Sequence, residues 1–325
     1  MPFAARAQSS LTRCLTAVTL LIASFASVLA APREEGFIQI ELDGQAIDIH
    51  YFRTPPADPS APAVKLLYFH GMPTTNAIWI PVMEELFGLM NVDSYAISWP
   101  GFGRSDAPSP DFFDYTETGL NRVPFKVADA IGIEHFVPVV HDIGGPFFIC
   151  PATEPENLAR LDGMVVLDTA VNLRGLPMEP VPPIQRLGRL MAAQGVPRVT
   201  IFGDLADILQ FGTRQDVFDR FPDLVLQISS TNSEDDNRQA ISRVIQELKD
   251  DPLAFGGVCG PEIPVLDVLS PLLVWSQSSL LRGLLSLRIV WPSAETVLVD
   301  EAQHFSMLDR EAEIAVAISA YLQGL

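Results

Sequence analysis

In the stretch VVHDIGGP, Val139–Pro146, a carboxylate stands at the end of an apolar, β-rich run and two glycines follow it closely. A strand that turns sharply into a helix lifts one side chain clear of a sheet, and the turn needs small neighbours. Asp142 is the lifted residue in that reading, and Gly144 is the small neighbour two places on. Val140, two places before, is larger than such a turn ordinarily takes. An aspartate ahead of IGGP equally suits a helix N-cap, so this stretch alone leaves both roles open. As a nucleophile, a carboxylate serves acyl carbons poorly. It can displace a leaving group at a saturated carbon, which leaves an alkyl ester on the protein.

A second stretch bears on the first. FHGMPTT, Phe69–Thr75, follows another apolar run. A His-Gly-X-Pro loop there would aim a backbone N–H at the raised residue. Together with the amide just after the nucleophile it would bind a developing oxyanion. Those amides belong to Met72 and Ile143. A base is also required, and His304, in LVDEAQHFSML, has the nucleophile-then-base chain order. The other four histidines read differently: His50 and His135 as strand-end or surface residues, His70 and His141 as structural members of the two loops.

These residues must be held by a frame, and its elements are readable. FIQIELDG and QAIDIHYF alternate as an antiparallel pair. VKLLYFHG, SYAISWPG, HFVPVVHD and LDGMVVLDTA are continuous apolar runs, as expected of strands covered on both faces. AIWIPVMEELFGLM and ETGLNRVPFKVADAIG carry helical periodicity, and a helix follows from Pro146. PLLVWS and ETVLVDE add two strands, and EAEIAVAISAYL closes the chain as a helix. Strand and helix alternate, which predicts a mostly parallel sheet with helices on both faces. The rhythm breaks at about 172–264, where PPIQRLGRLMAAQ and NRQAISRVIQELKDD are helical and no core strand occurs. This segment reads as a helical insertion over the edge where ligands of such sheets bind. Its Met178, Met191, Phe202, Phe211, Phe218 and Phe221 would line an apolar pocket or serve as ordinary core. PGFGRSDAP is not a dinucleotide loop, because Asp106 stands where the third glycine is needed.

HGMPTTNAIW, WPGFGRSDAP and VVHDIGG together resemble the α/β-hydrolase superfamily, and within it the branch of haloalkane dehalogenases and epoxide hydrolases, in which aspartate replaces serine. The resemblance implies an α/β-hydrolase core in two parts, 31–171 and 265–325, around a helical cap at 172–264. It also implies Asp142 as nucleophile, His304 as base and the amides of Met72 and Ile143 as the oxyanion hole. In much of the family an acid at a G-x-x-D turn orients the base. Here LLVWSQSS puts Ser276 and Ser279 in those places. The matching alternative is Asp168 at the end of MVVLDTA, which would otherwise merely cap its turn. The halide-holding Trp or Asn of dehalogenases is missing, since Ile143 and Met72 occupy those positions. None of the five tyrosines, which epoxide hydrolases draw from the cap, falls in the insertion. Trp79, Trp99, Trp275 and Trp291 read as core.

The expected activity is therefore dehalogenase-like hydrolysis of a small apolar substrate by water, without cofactor. An epoxide hydrolase is the near alternative. A non-catalytic relative that binds an apolar ligand or a partner is the alternative of another class.

Composition agrees with a packed protein: 325 residues, 48% hydrophobic and a net charge of −19, a charge that disfavours nucleic acid and anionic membranes as partners. Met1–Ala30 has the form of a signal peptide, with Arg6 and Arg13 ahead of the apolar CLTAVTLLIASFASVLA and small residues at its end. Cleavage would send the mature chain to the periplasm or outside, without a stable membrane span, and would remove both arginines and no acid, taking the net charge to −21. Cys14 lies in that leader. Cys150 and Cys259 read as two free, buried thiols, and no CxxC or HExxH spacing suggests a metal.

Overall fold

The computed structural model describes residues 31–169, 213–214, 216–232, 235–250, 260–277, 279 and 281–325. The chain divides into two units, Met1–Pro32 and Arg33–Leu325. The elements below all belong to the second. The leader expected at Met1–Ala30 lies outside the described residues, as do PPIQRLGRLMAAQ and the side chains of Met178, Met191, Phe202 and Phe211.

Eight strands form one sheet: β1 (Glu34–Leu42), β2 (Gln45–Thr54), β3 (Val64–Phe69), β4 (Val92–Ile97), β5 (Val137–His141), β6 (Val165–Leu167), β7 (Leu272–Ser276) and β8 (Glu295–Val299). Their order is β1-β2-β4-β3-β5-β6-β7-β8. β1 and β2 form an antiparallel hairpin closed at Asp43-Gly44, both with positive φ, the conformation a two-residue turn between twisted strands requires. β2 pairs antiparallel with β4, and every later pairing is parallel.

Alternation along the strands divides the core. Leu67 and Phe69 of β3, Val140 of β5 and Leu273 of β7 face one hydrophobic cluster. Leu66, Tyr68, Val139 and Leu272 face the other. Among the described residues seven longer helices accompany them: α1 (Ile80–Phe87), α2 (Val123–Ala130), α3 (Gly144–Ala152), α4 (Pro222–Thr231), α5 (Asp235–Asp250), α6 (Leu281–Val290) and α7 (Glu311–Leu322). α2, α3 and α6 cover the first cluster, and α1 and α7 cover the second. All four tryptophans are buried in these layers. This is the α/β-hydrolase fold, with helices on both faces of a mostly parallel sheet.

Several boundaries differ from the sequence reading, each for a local reason. The helix expected around Pro81 is a 3-10 turn, Asn76–Trp79, followed by α1 with its proline in the first turn, where no N–H is missed. The helix expected across Glu117–Gly132 breaks into Glu117–Leu120 and α2, which restarts at Val123 with Pro124 in its first turn. α3 begins at Gly144, two residues before Pro146. His50 is buried, not a surface residue, and bonds Glu35 and Asn76. Cys150 is not a free thiol. It is disulfide-bonded, and its partner lies outside the described residues. Phe218 and Phe221 pack against the second core cluster. No helix among the described residues is long and apolar enough to cross a membrane.

Candidate active site

The sheet order reverses at β3, which has β4 on one side and β5 on the other. Chains leaving β3 and β5 therefore diverge to opposite sides, and a crevice opens at their carboxyl ends. His70–Thr75 leaves β3 there, and Asp142 leaves β5.

Asp142 adopts φ +52, a region an L-residue enters at a cost and that clusters at functional turns. It is not a helix N-cap. Ile143 occupies that position, and no side chain caps α3. Three features hold the turn. A Cβ on Gly144 would stand 2.5 Å from the His70 carbonyl oxygen and 2.9 Å from that of Phe69, so only glycine lets α3 start against the β3 loop. Gly145 leaves room for Thr169, whose hydroxyl donates to the Asp142 carbonyl oxygen. Gly145 N–H donates to the same carbonyl at 3.0 Å.

The Asp142 side chain meets a donor on each oxygen. Met72 N–H donates to Oδ1 at 2.9 Å, and His304 Nε2 lies 3.2 Å from Oδ2. The Ile143 amide also bonds the carboxylate. Burial would raise the pKa of this carboxyl, but the hydrogen bond and charge of His304 outweigh burial and hold it at about 2. The reciprocal effect holds for His304. Burial lowers its pKa, and the hydrogen bond and charge of Asp142, with the charge of Asp168, raise it above the ordinary value.

The direction of the Met72 amide is fixed through its own peptide group. The carbonyl of that group, Gly71 O, accepts from Thr74 N–H at 3.1 Å, from the Thr74 hydroxyl at 2.8 Å and from His70 Nδ1 at 2.8 Å. A planar peptide whose carbonyl is held on one side must point its N–H to the other, here at Asp142. His70 is set by a second bond, its Nε2 accepting from Trp99 N–H at 3.2 Å. Burial keeps this ring neutral, with its pKa down at about 4. His141 is also buried and neutral, at about 3. Its Nε2 donates to the His304 carbonyl oxygen at 2.9 Å, so it tethers the loop that carries His304.

Asp168 also has positive φ, +39, and is buried. Its Oδ1 accepts from Ser276 N–H at 2.9 Å and from the Ser276 hydroxyl at 3.1 Å. Its Oδ2 accepts from the Ser306 hydroxyl at 3.0 Å, and Ser279 bonds it as well. Ser276 and Ser279, which stand at the two places of the G-x-x-D turn, thus hold the Asp168 carboxyl. Burial raises its pKa to about 6 against the pull of His304 and of these donors. Asp168 acts on His304 through charge. Its oxygens are engaged by serines, and nothing among the described residues bonds the buried His304 Nδ1. The structure thus brings Asp142, His304, Met72 and Ile143 into contact and sets Asp168 beside them without the hydrogen bond that would orient the base. Ser306, Thr169 and Thr74 escaped the sequence reading. Each is a small hydroxyl residue beside a predicted one, and only the fold tells such residues from ordinary turn residues.

Among the described residues no group of three or more His, Cys, Asp and Glu is placed to hold a metal.

The model of the alpha/beta hydrolase family matches residues 66–317. No curated protein sequence matches the chain. The fold is similar to that of the haloalkane dehalogenase DatA from Agrobacterium tumefaciens C58, at 17% identity and a TM-score of 0.71, covering 89% of this chain and 97% of that one. It is similar as well to the epoxide hydrolase CorEH, at 16% identity and a TM-score of 0.65, over 90% and 99% of the two chains. A thermophilic esterase from Thermogutta terrifontis aligns at 17% identity and a TM-score of 0.64, over 90% and 98%.

Proposed function

The chain belongs to the alpha/beta hydrolase family, and on that premise we propose that it hydrolyses small apolar substrates through an alkyl ester on Asp142, in the manner of a haloalkane dehalogenase. The observation that carries this reading is the carboxylate itself, raised on the elbow turn at φ +52 with Met72 N–H on Oδ1 and His304 Nε2 beside Oδ2. A serine there would attack acyl carbon, whereas an ionised carboxylate attacks saturated carbon.

In the first step an Asp142 oxygen forms a bond to carbon as the halide leaves with the bonding pair. The aspartate loses its charge. Two of the effects that raise the pKa of His304, the hydrogen bond and charge of Asp142, are lost with it. Burial remains and favours the neutral ring, so the base becomes free to act when the ester has formed. In the second step His304 Nε2 takes a proton from water, whose oxygen attacks Cγ of the ester. Charge develops on Oδ1, which already accepts from Met72 N–H, so the amides are in place before the reaction. The tetrahedral species expels the alkoxide, which receives the proton from His304. Asp142 is restored as carboxylate and the alcohol leaves.

Replacing His304 with alanine would stop the second step. Incubated with haloalkanes and epoxides, this variant should gain an intact-mass adduct that maps to Asp142, and the added mass would separate the two substrate classes. A folded His304→Ala protein with no adduct across a broad panel would refute the reading. The His304 Nδ1, unbonded among the described residues, is the observation favouring a non-catalytic protein that binds an apolar ligand, and that protein would give no adduct. The leader-like start of the sequence supports export of the mature chain.

A further inference from the structure

Two buried asparagines of the cap segment fasten loops that belong to the core. Asn232 ends α4 as its C-cap and is fully buried. Its Nδ2 donates to Pro73 O at 2.8 Å and to Thr74 O at 3.3 Å. Its Oδ1 accepts from Gly103 N–H at 2.8 Å. One side-chain amide thus joins the loop after β3 to the loop after β4. Asn237, in α5, donates to Gly103 O at 2.7 Å and to Thr231 O at 2.8 Å,. Both backbone groups of Gly103 are therefore held from the cap.

The glycines of PGFGRSD fit this seat. Gly101 and Gly103 have φ of +79 and +57. A Cβ on Gly101 would run into the Cβ of Ala240 on α5 and stand 2.8 Å from the Tyr115 ring, so α5 rests directly on this loop. The motif rejected as a dinucleotide loop is the surface on which the cap sits.

The two carbonyls that Asn232 holds immediately follow Met72. The turn at residues 71–74 is closed on one side by Thr74 and His70, which bind Gly71 O. Asn232 closes it on the other side. We propose that Asn232 is a positioning residue that couples seating of the cap to the oxyanion amide: with the cap seated, Met72 N–H is held on Asp142, and with the cap lifted, the turn is free to swing that amide away. The inference rests on the proposed function only for its kinetic consequence, since the amide and its hydrogen bond can be observed without a substrate.

Asn232→Asp tests it. The variant keeps an acceptor for Gly103 N–H and sets a carboxylate oxygen against the carbonyls of Pro73 and Thr74, which pushes the turn away. Asn237→Ala is the comparison, because it removes a second tie to Gly103 but leaves Asn232, and with it the seat on residues 73 and 74, in place. Amide hydrogen exchange read by NMR should speed up at Met72 by about tenfold or more in Asn232→Asp, with the sheet amides of Leu67 and Val139 unchanged. It should stay within about twofold of wild type at Met72 in Asn237→Ala. With a substrate, kcat should fall roughly a hundredfold in Asn232→Asp, with KM nearly unchanged. Unchanged exchange at Met72, or equal changes in both variants, would overturn the coupling. A chain that turns over no substrate leaves the exchange result readable, so failure of the chemistry and failure of the coupling remain distinct. If Asn232→Asp does not fold, the wild type still decides: the Met72 and Gly103 amides should exchange through one common opening as denaturant rises, and separate openings would refute the proposal.

Discussion

Replacing Gly71 with alanine tests whether the oxyanion amide does chemical work. Gly71 is outside the left-handed region, so alanine brings no backbone strain there, and its effect must come from the added methyl. That methyl would stand 2.3 Å from Asp142 Cβ and 2.6 Å from its Oδ1. Ordinary contact begins near 3.4 Å, so one of the two loops must retreat by about 1.1 Å. Asp142 is pinned by Thr169 and by the start of α3, so the β3 loop is the one to move. Added to the present 2.9 Å between Met72 N and Oδ1, such a retreat stretches the bond to roughly 4.0 Å, beyond hydrogen-bonding reach. Loss of one such donor raises a barrier by roughly 3 kcal/mol, a rate loss of about a hundredfold or more. The loss should fall on the second step, because charge develops on Oδ1 only when water attacks the ester. Rapid mixing, acid quench and intact mass should therefore show a burst of alkyl-enzyme followed by slow hydrolysis. A thermal melt would check that the overpacked variant, destabilised by about 1–3 kcal/mol, is still folded. A folded Gly71→Ala protein that hydrolyses its ester at nearly the wild-type rate would refute the assignment of Met72 to the oxyanion hole.

Other substitutions give opposed signs. Asp142→Asn removes the hydrogen bond and charge that raise the His304 pKa, so that pKa should fall, as followed by imidazole NMR; no change would refute the ion pair. Asp168 has a folded pKa raised from 3.8 to about 6, so the folded state binds more protons in that window and stability should decline as pH rises through it. Asparagine keeps an acceptor for Ser276 and suits the positive φ, so Asp168→Asn should flatten that decline and stabilise the protein at pH 7 by up to about 3 kcal/mol, read by urea unfolding. Turnover should nevertheless drop, because His304 loses a supporting charge, and equal turnover would remove Asp168 from the catalytic set. N-terminal sequencing of exported protein should begin at Ala31, and retention of Met1 would refute cleavage.

The sheet was legible because its strands are buried on both faces and read as unbroken apolar runs, and the elbow because Gly144 and Gly145 follow Asp142 at once. Proline positions moved the helix starts, since a proline at Pro81 or Pro124 opens a helix as readily as it interrupts one. The serine cradle of Asp168 was half visible. Ser276 and Ser279 registered as the loss of an acid, and their role as donors appears only once β6 and β7 lie side by side. Asn232 carries no signal in sequence at all. Its partners are backbone groups more than a hundred residues away, and backbone groups leave no mark on residue type. The state of Cys150 was equally hidden, because pairing depends on proximity in space.

Two carboxylates flank one imidazole here, and their surroundings push them apart. Asp142 is held at about 2 and Asp168 is raised to about 6, the kind of divergence that separates roles in acid–base sites. The divergence follows from which donors each receives. Asp142 has His304 and two backbone amides. Asp168 has neutral serine hydroxyls and one amide, which offset burial only in part. The consequence is a division in time. In the proposed mechanism the Asp142 carboxylate favours a protonated His304 and itself stays ionised, the state that would attack carbon. Esterification would remove that charge and leave only Asp168 to support the imidazole. The histidine then sheds its proton more readily, which is the state that activates water. An acid hydrogen-bonded firmly to Nδ1 would hold the histidine charged through both steps. With Nδ1 unbonded among the described residues, the proposed mechanism would place control of His304 with Asp142.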